Sequence, residues 1–316
     1  MKKIAAFFKL IRWPNLLFII ITQLLFFYCI YMPIKGNAQL QTNTYLLYVL
    51  IFASVCIAAA GYVINDYFDI QIDAINKPNK VVINNFIKRR WAIVWHWILS
   101  GIGVGISIYV GMLMHEKIIF IVNGFCVVIL WFYSTYFKKK ILVGNVIIAM
   151  LTAWVILVIY FYVGSDLLLY KAFVNSDINN GIIARKFFKV TMLFVGFAFI
   201  TTIIREVIKD LEDMEGDRRY GCNTMPIAWG VPVTKVFVAV WILVAVGVLA
   251  TLIIYAWLSG WWLAVMYLFV FLILPFCYLL YALFLAKSTL HFHQLSRYIK
   301  LIMLTGILSM ALFYYF

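Results

Sequence analysis

Residues 45–73 read YLLYVLIFASVCIAAAGYVINDYFDIQID, an apolar run that leads into a short acidic array. The run over 45–64 is long enough to cross a bilayer as a helix. Asp66, Asp69 and Asp73 follow at positions i, i+3 and i+7. On a helix these positions fall within roughly 60° of arc. We therefore expect a spanning helix whose end presents three carboxylates in one direction.

A second array repeats this spacing later in the chain, at Asp210, Asp213 and Asp217. Nine of the twelve acidic residues lie in or beside the two arrays. An Asp at the centre of a bilayer costs about 2.5–3.5 kcal/mol, so neither array can face lipid. One array alone would be equally consistent with solvated loop charges. Two arrays of identical spacing indicate a site.

The composition predicts an all-α polytopic membrane protein. Hydrophobic residues make up 66% of the chain and the mean hydropathy is +1.02, which is too apolar for a soluble domain. We predict nine spans, at about 16–34, 45–64, 91–113, 117–137, 141–163, 189–208, 233–258, 261–286 and 298–316. They form a single domain over 1–316, with a basic amphipathic segment at 1–13 in the membrane interface and motif loops at 65–90 and 209–232.

The lysines and arginines predict the orientation. If the N-terminus is cytoplasmic, 20 of the 26 Lys and Arg residues fall on the cytoplasmic side. The positive-inside rule then places both arrays there, in a protein of the cell inner membrane. Topology and attraction to anionic membrane lipids account for most of the +14 charge, so we predict no nucleic-acid partner. The five scattered cysteines are interpreted as packing residues.

Facing carboxylate arrays predict a Mg²⁺–diphosphate site. Closely spaced carboxylates repel one another and need cations. Mg²⁺ prefers a few carboxylates together with phosphate oxygens and water. A diphosphate ester would supply those oxygens, and its hydrophobic tail would run between the helices. Bound metal would neutralise the charge that builds on the diphosphate as its carbon–oxygen bond breaks.

Two motifs carry a resemblance to a known family. The first is Asn65-Asp66-x-x-Asp69-x-x-x-Asp73-x-x-Asn76-Lys77-Pro78, and the second is Arg205-Glu206-x-x-Lys209-Asp210-x-x-Asp213-x-x-Gly216-Asp217. With the nine-helix layout, they make the chain similar to the UbiA superfamily of intramembrane prenyltransferases. The resemblance implies about nine helices around a central chamber open to the cytoplasm. It also implies Mg²⁺-dependent transfer of a prenyl group from an allylic polyprenyl diphosphate to a lipophilic acceptor, through an allylic carbocation.

The resemblance implies a role for each matched residue. The implied metal ligands are Asp66, Asp69, Asp73, Asp210, Asp213 and Asp217, of which Asp66, Asp69, Asp213 and Asp217 are the implied catalytic residues. The implied substrate-binding residues are Arg12, Asn15, Asn65, Lys77, Tyr133, Lys138, Arg205 and Lys209. For Tyr133 and Lys138, an interfacial aromatic residue beside a positive-inside lysine is an equally good interpretation. His291 and His293 alternate like metal ligands but have no partner ligands in the sequence nearby, so we predict no metal there.

The motifs also bear on the choice of acceptor. The motifs are most similar to enzymes that alkylate geranylgeranylglyceryl phosphate with a geranylgeranyl group. An aromatic acceptor of the quinone, tocopherol or chlorophyll type is the alternative. Many members carry Arg-Pro after Lys77-Pro78, where this chain has Asn79 and Lys80. A cation transporter and an isoprenoid-lipid binding protein are the alternatives from other classes, and the oligomeric state is left open.

Overall fold

A computed structural model describes residues 2–36, 43–76, 81–164 and 178–315. Within these ranges the chain is almost entirely helical, and an isolated bridge between Ile83 and Ile87 is the sole extended pairing. Nine of the described helices are long and apolar enough to span a membrane. The predicted all-α polytopic class is thereby confirmed. Lys77, a predicted site residue, and the departure at Asn79-Lys80 lie outside the described residues.

The first helix, α1 (Lys2–Leu10), is short and precedes the spanning helices. The spanning helices are α2 (Trp13–Lys35), α3 (Thr44–Asn76), α4 (Arg89–Leu113), α5 (Lys117–Thr135), α6 (Val143–Gly164), α7 (Ile178–Arg219), α8 (Gly230–Leu258), α9 (Trp262–Leu285) and α10 (Thr289–Tyr314). π-helical turns interrupt α2 at Phe26–Tyr31 and α9 at Phe269–Ile273. Short helical turns lie at Phe137–Lys139 and Met225–Ala228.

The motif segments predicted as loops, 65–90 and 209–232, are helical through Asn76 and Arg219. That part of the loop prediction is wrong, and buried residues beyond the predicted spans explain why. Ile72 in α3 is 8% exposed and Leu211 in α7 is fully buried, so each extension packs against the bundle. The last span likewise begins at Thr289 rather than 298, because Phe292 and Leu295 are buried. Both acidic arrays therefore lie on continuous helix.

Helix α1 occupies the segment predicted to be basic and amphipathic. It buries Ala6 and Leu10 against residues of α3 and α4. Arg12 then adopts the left-handed conformation, with φ of 51°, and turns the chain into α2. The position of α1 in the membrane interface stays a prediction.

Two hydrophobic clusters hold the bundle together. One is rich in aromatic residues and fills the half of the bundle that lies away from the arrays, around Phe26, Tyr31 and Tyr162. The other joins the array end of α7 to α8, α9 and α10, around Leu211, Ile242 and Phe276. A chamber remains among α2, α3, α5, α6, α7 and α10. The side of the membrane on which it opens stays a prediction from the charge distribution.

Candidate active site

A polar cavity of about 540 Å³ lies between the ends of α3 and α7. All six array carboxylates line it: Asp66, Asp69, Asp73, Asp210, Asp213 and Asp217. Seven other predicted site residues line it too: Arg12, Asn15, Asn65, Tyr133, Lys138, Arg205 and Lys209. The structure therefore brings together every predicted site residue that it describes, Lys77 alone lying outside. The individual roles of these residues stay predictions.

Asn76 fixes the end of α3 against α7. Its Nδ2 donates to the backbone oxygen of Asp213 at 2.9 Å, and its Oδ1 accepts from the backbone nitrogen of Gly216 at 2.8 Å. A Cβ atom at position 216 would lie only 2.6 Å from the Asn76 amide. This approach requires glycine, because real Cβ contacts are longer. The pairing between Asn76 and Gly216 sets the two arrays opposite each other.

Cationic and amide side chains contact the first array. Arg12 Nη2 donates to Asp66 Oδ1 at 2.5 Å, and the ammonium of Lys138 contacts the Asp69 carboxylate. Asn65 Nδ2 donates to Asp69 Oδ2 at 2.8 Å. These contacts offset the repulsion among the carboxylates. Arg12 lies in the turn before α2 and Lys138 lies in the turn after α5. The cationic partners of the first array therefore belong to two separate segments of the chain.

Burial and neighbouring charge shift the pKa values of these two cations. Burial opposes the charge on Arg12, but the adjacent Asp66 carboxylate raises the pKa of Arg12 above its ordinary value. Burial lowers the pKa of Lys138 to about 8, while the nearby Asp217 carboxylate acts in the opposite direction. Both cations thus contact carboxylates of the first array.

The second array contacts Asn145 of α6, and a group of paired charges precedes it on α7. Asn145 Nδ2 donates to Asp210 Oδ2 at 2.8 Å. Glu206, only 7% exposed, contacts the guanidinium of Arg205 and lies 3.9 Å from Lys209 Nζ. Glu206 was quoted in the motif, but no role was predicted for it. In the sequence, Glu206 could have been recognised as an acidic residue inside an apolar span, directly after an arginine.

His293 also lines the polar cavity. Its Nδ1 lies 2.7 Å from Glu212 Oε1. His291 accepts a hydrogen bond from the backbone nitrogen of Lys287 at 3.2 Å, at the start of α10. The two histidines therefore have separate partners. Glu212 and His293 are 81 residues apart, so no local pattern could pair them.

An apolar cavity of about 240 Å³ extends the chamber into the bundle. Eight residues line both cavities and are called the neck: Arg12, Asn15, Asn65, Tyr133, Arg205, Glu206, Lys209 and Lys300. Four of them are cationic and one is a carboxylate, so the neck favours an anion. Lys300 was not among the predicted residues. Its signal was a lysine inside the predicted span 298–316.

The donor set fits a metal that shares its coordination with phosphate. Among the described residues, no three carboxylate, imidazole or thiol groups converge closely enough to hold a metal ion on their own. Instead, oxygen donors from α3 and α7 face one another across the polar cavity. Mg²⁺ commonly takes one or two carboxylates and completes its octahedron with phosphate oxygens and water. The arrays match that requirement and do not form an all-protein cage.

Known proteins show similarity over most of the chain. The profile of the UbiA prenyltransferase family matches residues 24–296. Digeranylgeranylglyceryl phosphate synthase of Methanothermobacter thermautotrophicus is 32% identical over 221 residues, which is 66% of this chain and 69% of that protein. A solved structure of digeranylgeranylglyceryl phosphate synthase has a TM-score of 0.59 at 22% identity, over 98% of both chains. A UbiA homolog from Archaeoglobus fulgidus bound to DMAPP and Mg²⁺ has a TM-score of 0.52 at 12% identity, over 96% of this chain and 99% of that one.

Proposed function

The chain belongs to the UbiA prenyltransferase family, and from this premise we propose that it transfers a prenyl group from an allylic polyprenyl diphosphate to geranylgeranylglyceryl phosphate. As a prenyltransferase it is an enzyme. This excludes the alternative functions of a cation transporter and a passive lipid-binding protein. The observation that carries the proposal is the cationic neck that joins a carboxylate-lined cavity to an apolar one.

The donor fits the two cavities in one orientation. Its diphosphate would lie at the neck, where Arg205, Lys209 and Lys300 provide charge-assisted hydrogen bonds. Its hydrocarbon tail would enter the apolar cavity, where water is displaced. The allylic carbon would then lie at the neck, beside Tyr133. The aromatic face of this tyrosine can stabilise positive charge that develops on that carbon.

Mg²⁺ is the proposed cofactor. Bound Mg²⁺ would supply positive charge to the leaving diphosphate. Asp66, Asp69 and Asp73 would hold it on one side, and Asp213 and Asp217, extended by Asp210, on the other. The related Archaeoglobus protein with bound DMAPP and Mg²⁺ supports this assignment, as does the match between the oxygen donors and the preferences of the ion. Asn65 would orient Asp69 through its 2.8 Å hydrogen bond.

The acceptor assignment rests on the relatives. Digeranylgeranylglyceryl phosphate synthases of Methanothermobacter thermautotrophicus and Methanosphaera stadtmanae are 32% identical to this chain over 221 residues and 28% identical over 271 residues, respectively. The alternative is an aromatic acceptor of the quinone, tocopherol or chlorophyll type. A glyceryl phosphate acceptor presents a hydroxyl to the allylic carbon and loses its proton as the ether forms. An aromatic acceptor presents a ring carbon instead.

We place the protein in the cell membrane with its N-terminus and polar cavity facing the cytoplasm. The nine apolar helices make it an integral multi-pass membrane protein. The excess of Lys and Arg on one side supports the orientation. The diphosphate group of the donor would then reach the neck from the cytoplasmic side.

An acceptor screen tests the proposal. Purified protein in lipid is incubated with Mg²⁺, geranylgeranyl diphosphate and one acceptor, either geranylgeranylglyceryl phosphate or a hydroxylated aromatic acid. The products are identified by mass spectrometry. We expect the prenylated glyceryl phosphate. Alkylation of the aromatic acid alone would overturn the acceptor assignment and leave the prenyl transfer standing. Transfer to neither acceptor, without diphosphate release, would contradict the donor assignment as well.

A further inference from the structure

One face of α10 contributes polar side chains to the polar cavity. Four of its residues line that cavity: His293, Ser296, Arg297 and Lys300. On a helix these positions fall within roughly 100° of arc, so the four side chains point in one direction. Lys300 also lines the apolar cavity and so belongs to the neck. The other three lie outside the neck and have no part in the proposed donor site.

Two side chains of this face have no partner among the described residues. Ser296 is 8% exposed, and its hydroxyl makes no hydrogen bond to the described part of the chain. The more exposed guanidinium of Arg297 forms no ion pair with a described carboxylate either. Burying a hydroxyl without a hydrogen bond is unfavourable, and both groups are hydrogen-bond donors. The face therefore presents two adjacent donors to the cavity.

The charge along this face is positive towards the neck. Three neck cations act electrostatically on Lys300: Arg12, Arg205 and Lys209. At the other end of the face, His293 Nδ1 lies 2.7 Å from Glu212 Oε1, so a carboxylate is present there. An anion would therefore be attracted most strongly to Arg297 and Lys300, at the end of the face away from Glu212.

The spacing along α10 matches the structure of a glyceryl phosphate acceptor. Positions 297 and 296 precede position 300 by ~4.5 and ~6 Å along the helix axis. In the acceptor, the phosphate is attached to the carbon next to the one that carries the attacking hydroxyl. The phosphate is therefore within about one helical turn of the reacting oxygen. When that oxygen meets the allylic carbon at the neck, the phosphate can reach Ser296 and Arg297.

We propose that Ser296 and Arg297, together with Lys300, bind the phosphate of the acceptor. This inference rests on the proposed transfer to a glyceryl phosphate. Arg297 would hold two phosphate oxygens through its planar guanidinium, and Ser296 would donate a hydrogen bond from its hydroxyl. Lys300 would supply positive charge between this phosphate and the diphosphate of the donor. An alcohol without phosphate would leave these donors unused, so the site selects the phosphorylated acceptor.

Two acceptors that differ only in the phosphate group test the inference. Purified protein in phosphatidylcholine bilayers is incubated with Mg²⁺, saturating geranylgeranyl diphosphate and either geranylgeranylglyceryl phosphate or its dephosphorylated form, geranylgeranylglycerol. The value of kcat/KM is measured for each acceptor, and the product is identified by mass spectrometry. We expect wild type to prefer the phosphorylated acceptor by at least about tenfold.

Substitutions on α10 should reduce that preference. Arg297→Gln removes a charged donor, so we expect kcat/KM for the phosphorylated acceptor to fall by about 10- to 100-fold. The value for the alcohol and the KM of geranylgeranyl diphosphate should stay unchanged. Ser296→Ala should cause a smaller loss of the same kind, and Arg297→Lys should retain part of the preference because it keeps the charge without the planar fork.

Arg90→Gln is the matched control for Arg297→Gln. Arg90 is an exposed arginine of α4 that lines neither cavity, so its loss should leave both acceptors unaffected. If Arg297→Gln does not fold, Arg297→Lys and Ser296→Ala decide the question. If wild type alkylates the phosphorylated acceptor alone, a higher acceptor KM in Arg297→Gln with an unchanged donor KM supports the site.

Other outcomes would overturn the site and leave prenyl transfer intact. These are equal use of both acceptors by wild type, equal losses for both acceptors in Arg297→Gln, and no loss in either Arg297→Gln or Ser296→Ala. Alkylation of neither acceptor by wild type, without diphosphate release, would overturn the proposed function and this inference with it.

The headgroup of a membrane lipid is another source of phosphate for this face. The same measurements are therefore repeated with phosphatidylglycerol added to the bilayer. If the face binds that headgroup instead of the acceptor, Arg297→Gln would differ from wild type only when phosphatidylglycerol is present, and equally for both acceptors. That result would overturn the inference. An effect of Arg297→Gln that is confined to the phosphorylated acceptor in both bilayers would support it.

Discussion

The charged residues of the neck favour the binding of an anion. Four cations surround one buried carboxylate, Glu206, which contacts Arg205 and lies 3.9 Å from Lys209. Glu206 neutralises only part of the positive charge of these four cations. An incoming diphosphate would supply further negative charge. Glu206 holds the cations in place until then. The cost of burying these charges is offset only when they are paired.

Lys209→Gln tests the role of a neck cation. Losing one hydrogen bond to a charged group costs about 1.5–3 kcal/mol, so we expect kcat/KM for the prenyl diphosphate to fall by roughly 10- to 100-fold. Steady-state diphosphate release measures the change. Lys139→Gln is the control, because Lys139 is exposed and does not line the neck. Equal losses in both variants would contradict an anion site at the neck.

At the scale of elements, the junction of α3 and α7 determines the geometry of the arrays. Gly216→Ala would drive a Cβ atom into the Asn76 amide, and overpacking of this kind costs about 1–3 kcal/mol. We expect a lower thermal midpoint in lipid or detergent and reduced activity.

The control for Gly216→Ala lies on the same helix. Gly196→Ala meets no other atom within 4 Å and removes a helix-destabilising glycine, so it should leave stability unchanged or raise it. In the double variant Asn76→Ala with Gly216→Ala, the clash disappears, and the two losses should not be additive. Full additivity would mean that the two residues do not interact.

The sequence predicted the spans and the arrays, because both depend on local periodicity. Asp66, Asp69 and Asp73 share a face once a helix forms, whatever surrounds it. The sequence did not predict that α3 and α7 continue past the apolar runs. That continuation depends on Ile72 and Leu211 packing against residues elsewhere in the chain.

Hydrogen-bonded pairs between residues far apart in the chain could not be predicted from the sequence either. Asn145 and Asp210 are 65 residues apart, and Gln23 and Val155 are 132 apart. Pattern and composition contain no information on which of many buried polar residues will meet. The neck therefore emerged only from the structure.

At the scale of the whole molecule, the orientation is open to direct test. In a background lacking the five native cysteines, Lys139→Cys and Lys117→Cys each place one thiol at an exposed position on opposite sides of the predicted membrane. An impermeant maleimide added to intact cells should label position 117. Position 139 should be labelled only after permeabilisation. The reverse pattern would place the polar cavity outside the cytoplasm.

The central claim is that facing carboxylate arrays and a cationic neck make this chain a Mg²⁺-dependent prenyltransferase. Loss of transition-state charge stabilisation costs about 10²–10³ in rate, which sets the expected size of the effect when an array carboxylate is removed. Glu215→Gln is the matched control, since Glu215 lies on the same helix but is exposed and paired with Arg219.

The most direct measurement is diphosphate release from geranylgeranyl diphosphate in the presence of geranylgeranylglyceryl phosphate, by purified protein in lipid, with and without Mg²⁺, for wild type, Asp66→Asn, Asp213→Asn and Glu215→Gln. The account predicts release that requires Mg²⁺, falls by at least about 100-fold in both aspartate variants and persists in Glu215→Gln. Release that continues without divalent metal, or that survives both aspartate substitutions, would contradict it.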